Sequence, residues 1–388
     1  MTMCHSSPTA AVESDVAIYQ GDVREVLTLL PPASVNCCVT SPPYWGLRDY
    51  GTASWDGGDA ACDHQQLRGG VGALSAKQIT SAGASTTYQY RQQCGKCGAR
   101  RVDAQIGVEP TPAAYVETMV QVFREVWRVL KDDGTCWLNL GDSYASTTGA
   151  NGGHQGKTGQ RANRSFTCET RSARGLGGLK PKDLCGIPWR VALALQADGW
   201  YLRSDIIWAK PNPMPESTKD RPTRSHEYVF LLTKAARYWY DAAAIAEPSV
   251  SDHGSGNGYK RGARLTYLDG DGPRGSDKPW TRMNANRDNA RAAGGDHDSP
   301  FGPTRNARDV WTITPKPFRE AHFATFPPEL ARRCILAGCP AGGTVLDPFS
   351  GAGTVAVVAR ELGRNAIGIE LNPGYIEMTT RRLAATAP

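Results

Sequence analysis

Apolar residues fall into short unbroken runs that alternate with stretches at helical spacing, and this alternation predicts the fold class. VAIYQGD over 16–22 reads as a strand, VREVLTLL as the helix after it, and SVNCCVT over 34–40 as a second, buried strand. A strand, helix, strand unit is the signature of a parallel sheet. Residues 111–130 place apolar positions at helical spacing with Pro112 near the start, and TCWLNLGDSY over 135–144 returns to strand. The pattern repeats with a helix over 182–200, a strand over 201–210 and a strand over 227–234. Near the C-terminus, GTVLDPFSG (343–351) is a strand running into a glycine turn, TVAVVARELG (354–363) a helix and NAIGIEL (365–371) a strand. The expected fold is α/β, a doubly wound sheet.

Three segments interrupt the periodicity: 51–107, 145–180 and about 248–309. Each is rich in Gly, Ser, Asn, Asp and Arg, so each reads as an insertion or loop rather than sheet. The organisation expected is one catalytic domain in two stretches, 16–247 and 310–384, with 51–107 inserted in the first and 248–309 between the two.

Two loops carry candidate chemistry. In VLDPFSGAGTVAVVA (345–359), Asp347 ends a strand, and Gly351 and Gly353 turn the chain into a helix. Such glycines let backbone approach a ligand, and the helix start offers unpaired N–H groups. Glu370 ends the next strand, nineteen positions after Gly351, where a carboxylate can accept both hydroxyls of a ribose. The spacing matches neither GxGxxG nor GxxxxGK, and no Lys follows the glycines. A nucleoside-type cofactor without a large phosphate group remains.

The second loop is Ser41-Pro42-Pro43-Tyr44-Trp45, at the end of the 34–40 strand. Two prolines stiffen the backbone and carry no N–H, leaving carbonyl oxygens as acceptors. With the Tyr44 ring alongside, the loop suits a flipped-out base bearing an amino group.

Together the two loops resemble those of the amino-methyltransferases that modify DNA on cytosine N4 or adenine N6. The resemblance spans about 16–247 and 310–384, and having the catalytic loop first is similar to the circularly permuted β group of that family. It implies a Rossmann-like methyltransferase sheet with long insertions, and S-adenosylmethionine as cofactor. Carried over by position, Asp347, Phe349, Gly351 and Gly353 line the methionine side of the cofactor, Glu370 holds its ribose, and Ser350 and Asn372 complete the cofactor-binding set. Asp22, in QGD, matches the position that contacts the adenine amino group, while its simpler reading is a helix N-cap. AHFATFPPEL (321–330) resembles a further cofactor motif in which His322, Phe323, Thr325 and Phe326 pack near the methionine; an ordinary helix start at Pro327 and Pro328 has the same appearance.

The implied reaction is direct displacement at the sulfonium methyl, with Ser41 and the Pro42 carbonyl accepting hydrogen bonds from the amino group, Pro43 stiffening the loop and Tyr44 stacking on the base. Methylation of cytosine carbon 5 needs a thiol, which in that family follows a proline, and the chain has no Pro-Cys pair. Ser at the first loop position goes with cytosine N4 in this family, and adenine N6 is the alternative. RNA or protein-glutamine methylation is less favoured, because related loops there begin with Asn. A catalytically inactive DNA-binding relative is disfavoured by the intact motifs.

Composition adds partners. The 388 residues are 40% hydrophobic, enough for a sizeable core, and carry a net charge of +6 with 44 Lys and Arg. Basic residues gather in 248–309 (Lys260, Arg261, Arg264, Arg274, Lys278, Arg282, Arg287, Arg291, Arg305, Arg308) beside Tyr259, Tyr267 and Trp280, which suits contact with double-stranded DNA, and the resemblance to the β group implies that this segment is its target-recognition region. The 145–180 loop, with Lys157, Arg161, Arg164, Arg171 and Arg174, is a second DNA candidate. Nothing resembles a nuclease or motor, so any restriction endonuclease partner is a separate protein. No stretch reaches the roughly 18 apolar residues that cross a bilayer, and MTMCHSSPTAAVESD lacks a basic start with an apolar core, so a cytoplasmic protein is expected. Of the 11 cysteines, Cys94 and Cys97 form a CxxC knuckle before Gly98, and Cys62-Asp63-His64 supplies a CxH pair. Cys62, His64, Cys94 and Cys97 are thus candidate ligands of a structural zinc. Cys37, Cys38, Cys136, Cys185, Cys334 and Cys339 lie in apolar elements and read as small core residues.

Overall fold

The unbroken apolar runs become the central strands of one nine-stranded sheet. The computed structural model describes residues 10–12, 15–46, 52, 54–59, 61–62, 94–145, 178–248, 304–315 and 326–386. Its strands are β1 (Ala10–Val12), β2 (Val16–Gln20), β3 (Val35–Thr40), β4 (Ser54–Asp56), β5 (Arg100–Val102), β6 (Leu130–Leu140), β7 (Tyr201–Ala209), β8 (His226–Thr233), β9 (Glu247–Pro248), β10 (Thr304–Arg305), β11 (Val310–Thr312), β12 (Thr344–Asp347) and β13 (Asn365–Glu370). The helices are α1 (Val23–Leu29), α2 (Pro112–Val129), α3 (Ile187–Ala197), α4 (Pro328–Gly338), α5 (Thr354–Glu361) and α6 (Pro373–Ala385). None is long and apolar enough to cross a membrane.

The strand order is β1-β2-β13-β12-β3-β6-β8-β7-β11. Neighbours from β2 through β6 are parallel, as expected. The sequence pattern does not show that β13 and β12 slot between β2 and β3, the strands joined by α1. Nor does it show that β8 runs antiparallel to both of its neighbours, β6 and β7. Parallel strands require long crossovers, whereas antiparallel strands tolerate any return, so direction is set by connection geometry rather than by apolar content.

Alternation along the strands covers both faces. Cys38 and Leu138 join the core formed with α1, α2 and α3. On the other face Thr135 Oγ1 donates to Gly338 O at the end of α4 (3.0 Å) and Trp137 Nε1 donates to Thr135 Oγ1 (3.1 Å). The six cysteines assigned to the core are all buried, and burial pushes the thiols of Cys37, Cys38, Cys334 and Cys339 upward, which keeps them protonated.

Two element boundaries differ from expectation. The helix expected over 182–200 starts only at Ile187, because Gly186 adopts φ 69° and the Asp142 carboxylate accepts from the N–H groups of Gly186 and Ile187, both at 3.0 Å. That cap comes from 44 residues upstream and is invisible in a local window. The strand expected from residue 135 begins at Leu130, directly after α2, where Leu130 pairs with Val35.

The chain divides into two compact units, Met1–Asp241 with Asp309–Pro388, and Ala242–Arg308. In the second unit β9 and β10 form a ribbon, and Glu247 pairs with Arg305 (3.5 Å) and Arg308 (2.9 Å). The other basic and aromatic residues assigned to DNA contact in 248–309, and those of the 145–180 loop, lie outside the described residues.

Candidate active site

β3 and β12 are parallel neighbours, with Cys37 opposite Val345 and Cys38 opposite Leu346. The Ser41–Tyr44 loop and the Asp347–Gly353 loop therefore leave the same edge of the sheet. Thr40 Oγ1 donates to Asp347 Oδ1 at 2.7 Å, joining side chains 307 residues apart in sequence. Open α/β sheets bind ligands where the strand order turns, and a cavity of about 910 Å³ opens at this point.

The catalytic-loop residues Ser41, Pro42, Pro43 and Tyr44 all line the cavity. The loop is anchored from behind: Tyr115 OH donates to Pro43 O (3.0 Å), and buried Trp45 donates from Nε1 to Glu109 O (2.9 Å). Gly141 lies under the Tyr44 ring, where a Cβ would come within 2.5 Å of Cε2. Tyr44 OH donates to Glu227 Oε2 (2.7 Å) and lies 2.9 Å from Asn139 Oδ1, which also accepts from Ser41 Oγ (3.1 Å). Asn139 Nδ2 donates to Tyr228 O at 3.0 Å, and Lys210 pairs with Glu227. Burial, with the nearby Glu227 carboxylate, pushes the Tyr44 hydroxyl well up, so it stays a neutral phenol.

Asn139, Lys210 and Glu227 did not emerge as individual residues from the sequence. The antiparallel direction of β8 brings its first residues, His226 and Glu227, to the edge where the parallel strands end. The signal available was a polar residue inside an apolar strand: Asn139 in WLNL, 1% exposed, and Glu227 in HEYVFLL.

On the cofactor loop, Asp347, Phe349, Ser350, Gly351 and Glu370 line the cavity together with Asp22 and Phe326. Glu370 accepts from the N–H groups of Gly351 and Asn372, both at 2.8 Å, and Asp347 accepts from Phe349 N at 3.1 Å. Gly353 (φ 72°) and Asn372 stand behind the cavity as the N-caps of α5 and α6. Asp22 caps α1 through Arg24 N (2.9 Å) and pairs with the Arg24 guanidinium while still facing the cavity. His322, Phe323 and Thr325 lie outside the described residues.

Burial pushes the Asp347 carboxyl up to about 7, with nearby Glu370 adding to the rise and the Thr40 and Phe349 hydrogen bonds opposing it. Glu370 is raised as well, again by burial. Two carboxyls crowded at one end of a cavity favour a cationic ligand. Ser350 Oγ adds a buried polar atom without a hydrogen-bond partner among the described residues. These groups fit S-adenosylmethionine, which brings a sulfonium and an ammonium group but no phosphate.

The Asp347 shift has a measurable sign. The folded protein holds this proton more tightly than the unfolded chain, so the contribution to stability is full below about pH 4 and is lost as pH rises through about 7. At about 1.36 kcal/mol per pH unit, the loss amounts to at most about 4 kcal/mol. In urea titrations of the ligand-free enzyme, Asp347→Asn should gain stability relative to wild type between pH 4 and 7 and then hold constant. A pH-independent difference would contradict the assignment.

Cys62, Cys94 and Cys97 come together, with their Sγ atoms all within 4.8 Å of one another. His64 lies outside the described residues.

A carboxylate-lined glycine loop on one strand and a Ser-Pro-Pro-Tyr loop on its neighbour thus open onto one cavity. The chain belongs to the N6/N4 DNA methylase family, whose model matches residues 35–381, and it is an S-adenosylmethionine-dependent DNA methyltransferase. It is 39% identical to the Type II methyltransferase M.Cfr9I of Citrobacter freundii over 366 residues, covering 94% of this chain and 87% of that one. With the Type II methyltransferase M.SmaI of Serratia marcescens the identity is 38% over 366 residues, covering 94% and 90%. The fold is shared with the cytosine-N4-specific PvuII DNA methyltransferase at a TM-score of 0.52 and 15% identity, covering 96% of this chain and 87% of that one.

Proposed function

We propose that this enzyme methylates the N4 amino group of cytosine within a specific sequence of duplex DNA. The observation that carries the reading is the placement of Ser41 and Pro42 at the end of β3, one strand away from Asp347 and across a shared cavity from Glu370. S-adenosylmethionine supplies an electrophilic methyl group on its sulfonium. Asp347, Ser350 and the Gly351 turn would hold the methionine end of that ligand, Glu370 its ribose, and Asp22 its adenine. Ser41 and the Pro42 carbonyl accept from the target amino group, which points the nitrogen lone pair at the methyl carbon. Tyr44 stacks on the base, its ring angle held by Glu227, Asn139 and Gly141. When bound, the cofactor would supply the methyl group that the amino nitrogen takes as the carbon–sulfur bond breaks, the sulfonium would leave as a neutral thioether, and the surplus amino proton would pass to solvent.

Cytosine is favoured over adenine on two grounds. Ser41 is the residue that goes with cytosine N4 in this family. Lys210 and Arg224 line the same cavity and offer hydrogen-bond donors, and cytosine presents a carbonyl O2 where adenine has none. Action at a specific site, with any restriction endonuclease as a separate protein, is supported by the similarity to enzymes named Type II methyltransferases.

Incubating duplex DNA with methyl-labelled cofactor, digesting it to nucleosides and separating the products should give labelled N4-methylcytidine. Labelled N6-methyladenine would overturn the base assignment, and label confined to RNA or protein would overturn the substrate.

A further inference from the structure

We propose that Cys62, Cys94 and Cys97 bind a structural zinc ion that closes the β4–β5 ribbon and thereby fixes one wall of the active-site cavity.

The thiol spacing is that of a metal site. Cys62 Sγ lies 3.9 Å from Cys94 Sγ, and no pair among the three thiols exceeds 4.8 Å. Sulfurs bound at about 2.3 Å to a tetrahedral zinc are about 3.8 Å apart, whereas a disulfide brings them to about 2 Å. The backbone is built for the same purpose. Gly98 N donates to Cys94 O (2.9 Å) and Cys94 N to Ala99 O (2.7 Å), which folds Cys94–Gly98 into a tight knuckle with both thiols on one side. Gly58, at the turn leaving β4, packs against this knuckle so closely that a Cβ would sit 2.7 Å from Cys97 Sγ.

The ribbon needs such a brace. β4 and β5 have three residues each, and an isolated two-stranded ribbon of this size is marginal in water. Of its apolar side chains, Trp55 is only partly buried and Val102 is exposed. The ribbon also connects directly to the active site. β5 runs on into Ala104, Gln105 and Ile106, and Thr52 precedes β4; all four line the cavity. Gly46 N donates to Gly107 O at 2.9 Å, tying the far end of this wall to the residues that follow Tyr44. A metal holding the ribbon therefore holds the segment that backs the catalytic loop, and it performs no chemistry on substrate.

The test is metal content of the full chain, independent of methylation. Protein expressed with added zinc and purified without chelator should carry about one zinc per chain, and Cys94→Ser with Cys97→Ser should carry less than about a tenth of that. Because that variant can lose its fold, the wild type is also exchanged into cobalt, where thiolate ligation gives a charge-transfer absorption in the near ultraviolet. Gly58→Ala, which alters no ligand, should weaken metal retention against a competing chelator by about 10- to 100-fold, as changes behind a metal ligand do. Wild-type protein with no zinc and no cobalt charge-transfer band overturns the proposal, as does a double-serine variant that keeps its metal.

Discussion

Replacing Tyr44 with alanine is expected to slow single-turnover methyl transfer to duplex DNA by about 10- to 100-fold, within the ~1–3 kcal/mol that stacking a base on an aromatic ring contributes. The loss should fall on the transfer step and on DNA binding, while affinity for S-adenosylmethionine, measured by calorimetry, stays at the wild-type value. Tyr44→Phe separates two contributions. It keeps the ring over Gly141 but removes the donor to Glu227, which stays linked to the loop through Asn139 and Ser41. A hydrogen bond to a charged group contributes about 1.5–3 kcal/mol, so the phenylalanine variant should lose stability of that order in urea unfolding while, with its ring in place, its transfer rate falls less than that of the alanine variant. An alanine variant that transfers methyl groups at the wild-type rate would remove Tyr44 from the mechanism.

The two glycines of the cofactor loop should fail in different ways. Gly353 sits at φ 72°, and a Cβ there would lie 2.3 Å from Cγ2 of Thr379, which is fully buried and cannot withdraw. The left-handed backbone costs a non-glycine residue about 1–2 kcal/mol and overpacking a further ~1–3. Gly353→Ala should therefore destabilise the fold by about 2–5 kcal/mol in urea unfolding. Gly351 has φ 50° and open space where its Cβ would point, and it lines the cavity. Gly351→Ala should lose only about 1 kcal/mol of stability, from backbone strain, yet bind S-adenosylmethionine more weakly because the added methyl projects into the ligand's space. Equal effects of the two substitutions on stability would mean that Thr379 yields and that the turn is softer than its packing indicates.

Periodicity located the strands and helices well because burial on one stripe or one face writes itself directly into the apolar pattern. VNCCVT and TVLD were legible as buried strands, and α2 ended one residue from its expected boundaries. Sheet order and strand direction leave no such trace, since a strand reads the same whichever neighbour it pairs with. This is why the antiparallel entrance of β8, and with it Glu227, was hidden. Both motif loops were readable as loops, because proline and glycine at strand ends restrict backbone in recognisable ways. That they face one another across a single hydrogen bond, Thr40 to Asp347, follows from the β3–β12 pairing and from nothing local. Asp22 shows the opposite limit: the helix cap and the cavity-lining position are one residue, so the two readings were never exclusive.

The interleaved strand order also constrains how the protein is made. β12 and β13 stand between β2 and β3, so a ribosome that has released the first half of the chain has produced two strands that cannot yet meet across their final spacing. Until the last two strands emerge, β2 and β3 keep open edges, and the contacts that close the sheet are among the longest in the sequence. Such long-range pairing is slow to form and leaves a nascent chain exposed. A modifying enzyme assembled in this order has its two loops as neighbours only once β12 and β13 are in place between β2 and β3.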